Sequence, residues 1–159
     1  MFTFNKQRRE YIKFPIGLSR PAWAPISREF VKVPGRIGAH LISTETDIRA
    51  INIPVKIEAK GDVNLQKLKE DLADWLVHDE VKELVFDDEP DRTYYAVVDG
   101  TLDLDEIVYY GKGVITFICP DGVKYGPKKE IKINPMEENK IYYAGTAPVI
   151  PEIEIIPSE

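Results

Sequence analysis

The sequence is poor in the residues that usually carry chemistry: it has one cysteine, Cys119, and two histidines, His40 and His78. A single cysteine excludes an intrachain disulfide and any cysteine-rich zinc site. Cys119 lies in an apolar, strand-like run, which favours a small buried core residue over a catalytic thiol. His78 follows an amphipathic segment, where the helix dipole favours a cation. The sequence therefore predicts no enzyme, no metal site and no cofactor.

Long hydrophobic runs are also absent. The opening residues, MFTFNKQRREYIKF, contain no continuous apolar stretch and do not resemble a secretory signal. No segment approaches the about 20 apolar residues that a membrane-spanning helix needs. The sequence predicts no membrane partner.

Basic residues are outnumbered: 21 lysines and arginines stand against 27 aspartates and glutamates, which gives a formal net charge of −6. Non-specific binding to nucleic acid depends on clustered lysine and arginine that displace counterions from the phosphates. The charge balance therefore argues against tight binding to DNA or RNA.

Two acidic clusters could hold a cation or a pair of catalytic carboxylates. The first covers residues 87–91 but has Pro90 where a calcium loop needs a central glycine, and the second consists of Asp103, Asp105 and Glu106. Nothing in either cluster singles out two carboxylates for glycoside hydrolysis. Solvated turns are the simpler interpretation. The Gly111-Lys112-Gly113 sequence is flanked by strand-like residues, which favours a hairpin turn over a phosphate loop.

The hydrophobic fraction of 43% over 159 residues is enough for one globular domain. Residues 50–59 alternate apolar and polar side chains, which predicts a strand, with Pro54 marking an edge or a bulge. Residues 63–77 place leucines and Trp75 at helical spacing, which predicts an α-helix with Asp62 or Asn64 as its N-cap.

Shorter patterns predict a mostly β fold around that helix. Strands are expected at 82–86, 93–99, 107–110, 113–119, 130–133 and 141–143, with the turn-rich sequence DDEPDR after the first. Residues 28–33 run into a Pro34-Gly35 turn, which predicts an extended arm or hairpin. The fold class is therefore mostly β (α+β): a β-sandwich-like domain or strongly bent sheet with one packed helix and an arm.

Four motifs, in order along nearly the whole chain, carry a resemblance to one family. They are PGRIGA at 34–39, the pattern from Trp75 through Tyr94-Tyr95-Ala96 to Gly100, the run GVITFICP at 113–120 with Tyr125-Gly126, and AGTAP at 144–148. Together they resemble the N-terminal domain of the distal tail proteins of long, non-contractile-tailed phages.

The resemblance implies a structural role in the virion. Such domains are related to tail-tube proteins and form a hexameric ring at the tail tip after synthesis in the host bacterial cytoplasm. The ring joins the tail-tube protein to the tail-tip or baseplate hub protein and encloses the channel through which DNA passes without specific binding. Six copies of this chain would carry a formal charge of −36, six times −6. We expect Pro34, Gly35, Arg36 and Gly38 to contact the neighbouring subunit.

The resemblance also divides the chain. Residues 1–147 correspond to the ring-forming domain, and residues 148–159 correspond to a linker and the first strand of a second domain, often galectin-like. In Ile150–Ile156 isoleucines alternate with glutamates, as in a strand whose partners lie elsewhere.

The main alternative is a carbohydrate- or receptor-binding module of a tail or baseplate. Such modules use exposed aromatic side chains, and tyrosines occur here in adjacent pairs at 94–95, 109–110 and 142–143. Adjacent residues of a strand point to opposite faces, so one tyrosine of each pair is predicted to be buried.

Overall fold

The computed structural model describes residues 1–13, 20–57, 65–102, 113–134 and 136–155. Its elements, in chain order, are β1 (Phe2–Phe4), β2 (Ile12–Lys13), β3 (Ile26–Val31), β4 (His40–Thr46), β5 (Arg49–Ile57), α1 (Leu65–Leu76), β6 (Lys82–Phe86), β7 (Glu89–Asp99) and β8 (Gly113–Cys119).

Six of the strands form one curled antiparallel sheet in the order β1-β6-β7-β8-β5-β2. The remaining two strands, β3 and β4, pair only with each other within the described residues. The predicted class, mostly β with one packed helix and an extended hairpin, is confirmed.

Strand β5 confirms the strongest alternation in the sequence. Ile51, Ile53 and Val55 are fully buried, whereas the intervening Asn52 is exposed. Pro54 stands opposite Val114 of β8 in an unbroken register, so no bulge forms there. In the described part of the chain, the other side of β5 is paired only at Lys56 and Ile57, which leaves the Pro54 side of the strand without a ladder partner.

Helix α1 packs its apolar stripe into the core that it shares with the sheet. Its stripe, Leu68, Leu72, Trp75 and Leu76, joins the buried core. The Trp75 ring stacks on Phe2 at 5.7 Å between centroids, and its Nε1 donates a hydrogen bond of 3.0 Å to the carbonyl oxygen of Phe4. The helix is thereby attached to β1. The predicted N-cap candidates lie outside the described residues.

The C-terminal end of α1 behaves as the sequence predicts. The amide of Val77 still donates to the carbonyl oxygen of Ala73 at 2.9 Å. The Nε2 atom of His78 lies 3.0 Å from the carbonyl oxygen of Trp75, so the imidazole satisfies one of the free carbonyl groups at the helix end.

The turn predicted over DDEPDR is shorter than expected. Only Asp87 and Asp88 form a turn, and β7 begins at Glu89. Phe86 pairs with Glu89 but Val85 pairs with Thr93, so the residues between them form a bulge. A bulge accommodates the missing amide hydrogen of Pro90 without ending the strand.

The short strands predicted at 130–133 and 141–143 are wrong. Both segments lie outside regular structure, and their large side chains are exposed. Between them, the Nδ2 atom of Asn139 donates to the carbonyl oxygens of Asn134 and Glu137. Alternation alone does not make a strand when no sheet edge pairs with it. The strand predicted at 107–110 and its turn at 111–112 lie outside the described residues.

Candidate assembly surface

The two-stranded hairpin β3–β4, with the tip residues 32–39, is called the arm. Its register runs from Ile26 opposite Thr46 to Val31 opposite His40. Every residue of its strands is exposed except Ser43, which is half-buried. The arm therefore lies outside the core and presents both of its faces.

The arm carries large apolar side chains that its own domain leaves uncovered. Phe30 is 56% exposed and Leu41 is 54% exposed, and a register shift next to Phe30 brings these two side chains opposite each other. The remaining exposed apolar side chains of the arm are Ile26, Val31, Val33, Ile37 and Ile42. Exposed apolar patches of this kind are typical of surfaces that bind another protein.

The four residues predicted to contact a neighbour lie together at the tip of the arm. Gly35 and Gly38 adopt φ angles of +82° and +92°, a region that favours glycine. The amide of Arg36 donates to the carbonyl oxygen of Val33 at 3.2 Å, and its guanidinium lies 2.7 Å from the His40 ring nitrogen. Pro34 opens the turn. Their contact with a second subunit stays a prediction.

The sequence pattern pointed to the tip and missed the apolar strand residues Phe30, Leu41 and Ile42. The sequence shows two apolar runs on either side of a Pro-Gly turn. That pattern does not distinguish apolar side chains that are buried in the core from apolar side chains that are exposed on the arm.

The residues that flank the arm, 20–25 and 47–48, are called its root, and they are fixed to the core by specific contacts. Arg20 places its guanidinium 4.3 Å from the centre of the Phe86 ring and pairs with Asp88 and Glu89, the latter at 3.6 Å. The amide of Asp47 donates to the carbonyl oxygen of Pro25 at 2.8 Å and closes the base of the hairpin.

Gly122 lies against the same root. It has a φ angle of +65°, and a Cβ atom there would lie 3.0 Å from both the Ala24 Cβ and the Asp47 carbonyl oxygen. The root therefore packs against the core, whereas the arm itself is exposed to solvent.

The first acidic cluster is used in ion pairs. Asp87 pairs with Arg8, and Glu89 pairs with Lys124 at 2.6 Å. Within the described residues, no group of three metal-ligating side chains converges there or elsewhere. The second acidic cluster lies outside the part of the chain that the structure describes.

Arg49, at the start of β5 directly after the arm, is a buried cation that sequence reasoning missed. It is only 6% exposed, and its Nε atom has no hydrogen-bond partner. Its guanidinium lies 5.8 Å from the centre of the Tyr94 ring. Burial raises the pKa of the neighbouring Cys119 thiol to about 11, and the positive charge of Arg49 opposes that rise only in part. Cys119 is the buried core thiol that the sequence predicts.

The tyrosine pairs divide. Tyr94 is buried and Tyr95 is half-buried, so this pair divides as predicted. The Tyr95 ring packs edge-on against Tyr125 at 5.2 Å between centroids. Tyr142 and Tyr143 are both exposed, so the prediction is wrong for that pair because no strand forms there. The Tyr143 hydroxyl donates to the carbonyl oxygen of Ala147 at 2.7 Å. The third pair lies outside the described residues.

Among the described residues, no helix is long and apolar enough to cross a membrane. The solved structures include the Dit protein of phage SPP1, a crystal structure described as a paradigm of the hub adsorption apparatus in phages that infect Gram-positive bacteria. The two share 22% sequence identity with a TM-score of 0.66, over 79% of this chain and 51% of the Dit chain. The present chain thus spans about half the length of that protein. A comparison with curated proteins found no match.

The family model for the phage tail protein RIFT-related domain matches residues 9–119, which is most of the chain and covers every element from β2 to β8. The resemblance to tail components of long-tailed phages is thereby confirmed, and the chain belongs to this family of phage tail proteins.

Proposed function

We propose that this chain is a ring-forming structural protein of the tail tip, in which six copies join the tail-tube protein to the tail-tip or baseplate hub protein. The ring encloses the channel through which DNA passes. The observation that carries the proposal is the arm, which extends exposed apolar side chains away from a folded core. The fold likeness to the SPP1 Dit protein and the phage tail family support it. The role is structural and involves no catalysis.

The shape of the chain favours contact between unlike surfaces of neighbouring copies. A two-stranded hairpin is marginally stable in water by itself, so the arm gains stability when a neighbour covers it. An arm that docks on a different surface of the next copy makes a head-to-tail contact, and such contacts close into rings when the rotation fits. The firm root at Arg20 and Asp47 fixes the direction in which the arm extends.

Pro34, Gly35, Arg36 and Gly38 then lie at the far end of the interface, where the tip reaches the neighbouring copy. The glycines shape the turn, and the Arg36 guanidinium supplies an exposed donor for the partner surface. Residues 1–147 form the ring-building domain, and residues 148–159 form the linker and the first strand of a second domain.

The test replaces the apolar pair on the arm. A Phe30→Ser/Leu41→Ser variant is expected to weaken ring assembly at least tenfold, because the exposed apolar area that a neighbour would cover is lost. Its own unfolding free energy should change by less than about 0.5 kcal/mol, since neither side chain belongs to the core. Light scattering over a concentration series measures assembly, and urea denaturation measures stability.

An Arg28→Ser/Thr44→Ser variant is the matched control, because these polar residues stand opposite each other in the same hairpin. Rings that survive the apolar double substitution would place the interface elsewhere. A chain that remains monomeric at every concentration would contradict ring formation by this domain.

The carbohydrate-binding alternative retains exposed aromatic side chains, among them Trp23 at 70% and Tyr142 at 92%. Its neighbour Tyr143 is tied to Ala147 by a hydrogen bond and does not extend a flat aromatic platform. A glycan array with the whole chain separates the two functions, since the ring proposal expects no signal.

A further inference from the structure

We propose that Arg49 is a docking point for a carboxylate of a second copy of this chain, at the root of the arm. The inference rests on the proposed ring, and it names one polar contact within that assembly.

In the single chain, the Arg49 guanidinium lacks the partners that a buried charge needs. Its Nε atom is buried without an acceptor, and no carboxylate among the described residues forms an ion pair with it. The other arginines near the core have carboxylate partners, Arg9 with Asp71 and Arg20 with Asp88 and Glu89, although Nη1 of Arg20 also lacks a hydrogen bond. A buried charge is costly unless it is paired and hydrogen-bonded. The Tyr94 ring offsets only part of that cost.

Arg49 also lies beside the proposed interface. Arg49 follows the last residues of the arm, and its register partner Cys119 leads into the turn where Gly122 packs on the arm root. A neighbouring copy that covers the arm must pass close to this point. The proposed interface and the unpaired cation are therefore continuous.

The chemistry of the guanidinium favours a carboxylate as its partner. A guanidinium is a planar fork that binds a carboxylate through two parallel hydrogen bonds, a geometry that lysine lacks. The chain has 27 acidic residues against 21 lysines and arginines, so each copy offers carboxylates beyond those its own cations neutralise. A second copy supplies the ligand without any further molecule.

The experiment uses an Arg49→Lys variant treated with a zero-length carbodiimide, which couples an amine to a carboxylate in contact with it. Copies with normal and heavy nitrogen isotopes are mixed before coupling, so that mass spectrometry separates links between chains from links within one chain. A mixed-isotope link from position 49 to a glutamate or aspartate is expected. An Asn52→Lys variant, on the exposed face of the same strand and away from the arm, controls for indiscriminate coupling.

An Arg49→Met variant gives the second readout. It should weaken assembly at least tenfold while leaving the thermal stability of the single chain unchanged or higher, because apolar replacement of an unpaired buried cation is neutral or stabilising. Rings that form normally with Arg49→Met, with no interchain link at position 49, would overturn this inference and leave the proposed function standing. Equal loss of stability and assembly would show a purely structural arginine. A wild-type chain that never assembles and gives no link would contradict both.

Discussion

At the scale of single residues, a polar cluster locks α1 to the N-terminal segment. The Tyr11 hydroxyl and the Arg9 Nε both donate to Oδ2 of Asp71, the second at 2.8 Å, and the Arg9 guanidinium lies 5.3 Å from the Trp75 ring centre. The Tyr11 hydrogen bond, with a further contribution from Arg9, lowers the pKa of the Asp71 carboxyl. Burial, followed by the hydrogen bond to Asp71, raises the pKa of Tyr11.

Replacing Asp71 should make the free energy of unfolding less dependent on pH in the acid range. Because the pKa of Asp71 is lower in the folded state, its contribution is complete above the unfolded value of 3.8 and is lost as the pH falls through the folded value. Asp71 is 43% exposed, so solvent screening limits the cost of Asp71→Asn at neutral pH to about 0.5–1 kcal/mol. Urea denaturation from neutral to acid pH should show the difference from wild type narrowing below pH 3.8.

Asp74→Asn, which removes an exposed carboxylate of the same helix, is the control and should leave the acid dependence intact. A constant difference between Asp71→Asn and wild type across the pH series would mean that the charge of Asp71 does not stabilise the fold.

At the scale of elements, long periodic patterns were predictable and short or long-range features were not. Strand β5 and helix α1 follow from their periodicity, because each is long enough to show which face is buried. Strands β1 and β2 have three and two residues, too few for a period, and β1 was missed although its phenylalanines lie in the core. Arg49 and the Asp71 cluster depend on partners far along the chain, which spacing alone does not reveal.

In the C-terminal part of the chain the error is the reverse: a strand was predicted where none forms. Residues 130–133 alternate apolar and polar side chains, but no sheet edge in the described part of the chain pairs with them. Described residues 148–155 are likewise exposed and outside regular structure. Removing everything after Ala147 should therefore change the unfolding free energy by less than about 0.5 kcal/mol, measured by urea denaturation.

A truncation after Cys119 tests the sensitivity of that measurement. It removes Tyr125, whose backbone bonds to Thr93 at 2.8 and 2.9 Å, and Lys124, which pairs with Glu89. This shorter chain should be clearly less stable. A large loss already on truncation after Ala147 would show that the terminal segment belongs to the same folding unit.

At the scale of the whole molecule, the residues that form the core and the residues exposed for assembly lie in separate parts of the chain. The curled sheet and α1 bury the core, and the arm extends uncovered apolar residues from a firmly packed root. Such a division suits an assembly protein, because substitutions on the arm would leave the packing of the core unchanged. The charge of the molecule also bears on what the proposed ring would enclose.

The last prediction concerns DNA. With a net charge of −6, the chain has no surplus of cations to release counterions from a duplex, so binding at physiological salt should be weaker than about 0.1 mM, the weak end of ordinary non-specific affinity. Fluorescence anisotropy of a labelled duplex, titrated with the assembled ring at low and physiological salt, measures it. Binding that strengthens steeply as salt falls would reveal a basic surface, and DNA would then adhere to the proposed channel instead of sliding through it. Signal that stays flat in both buffers would fit a channel wall that repels phosphate.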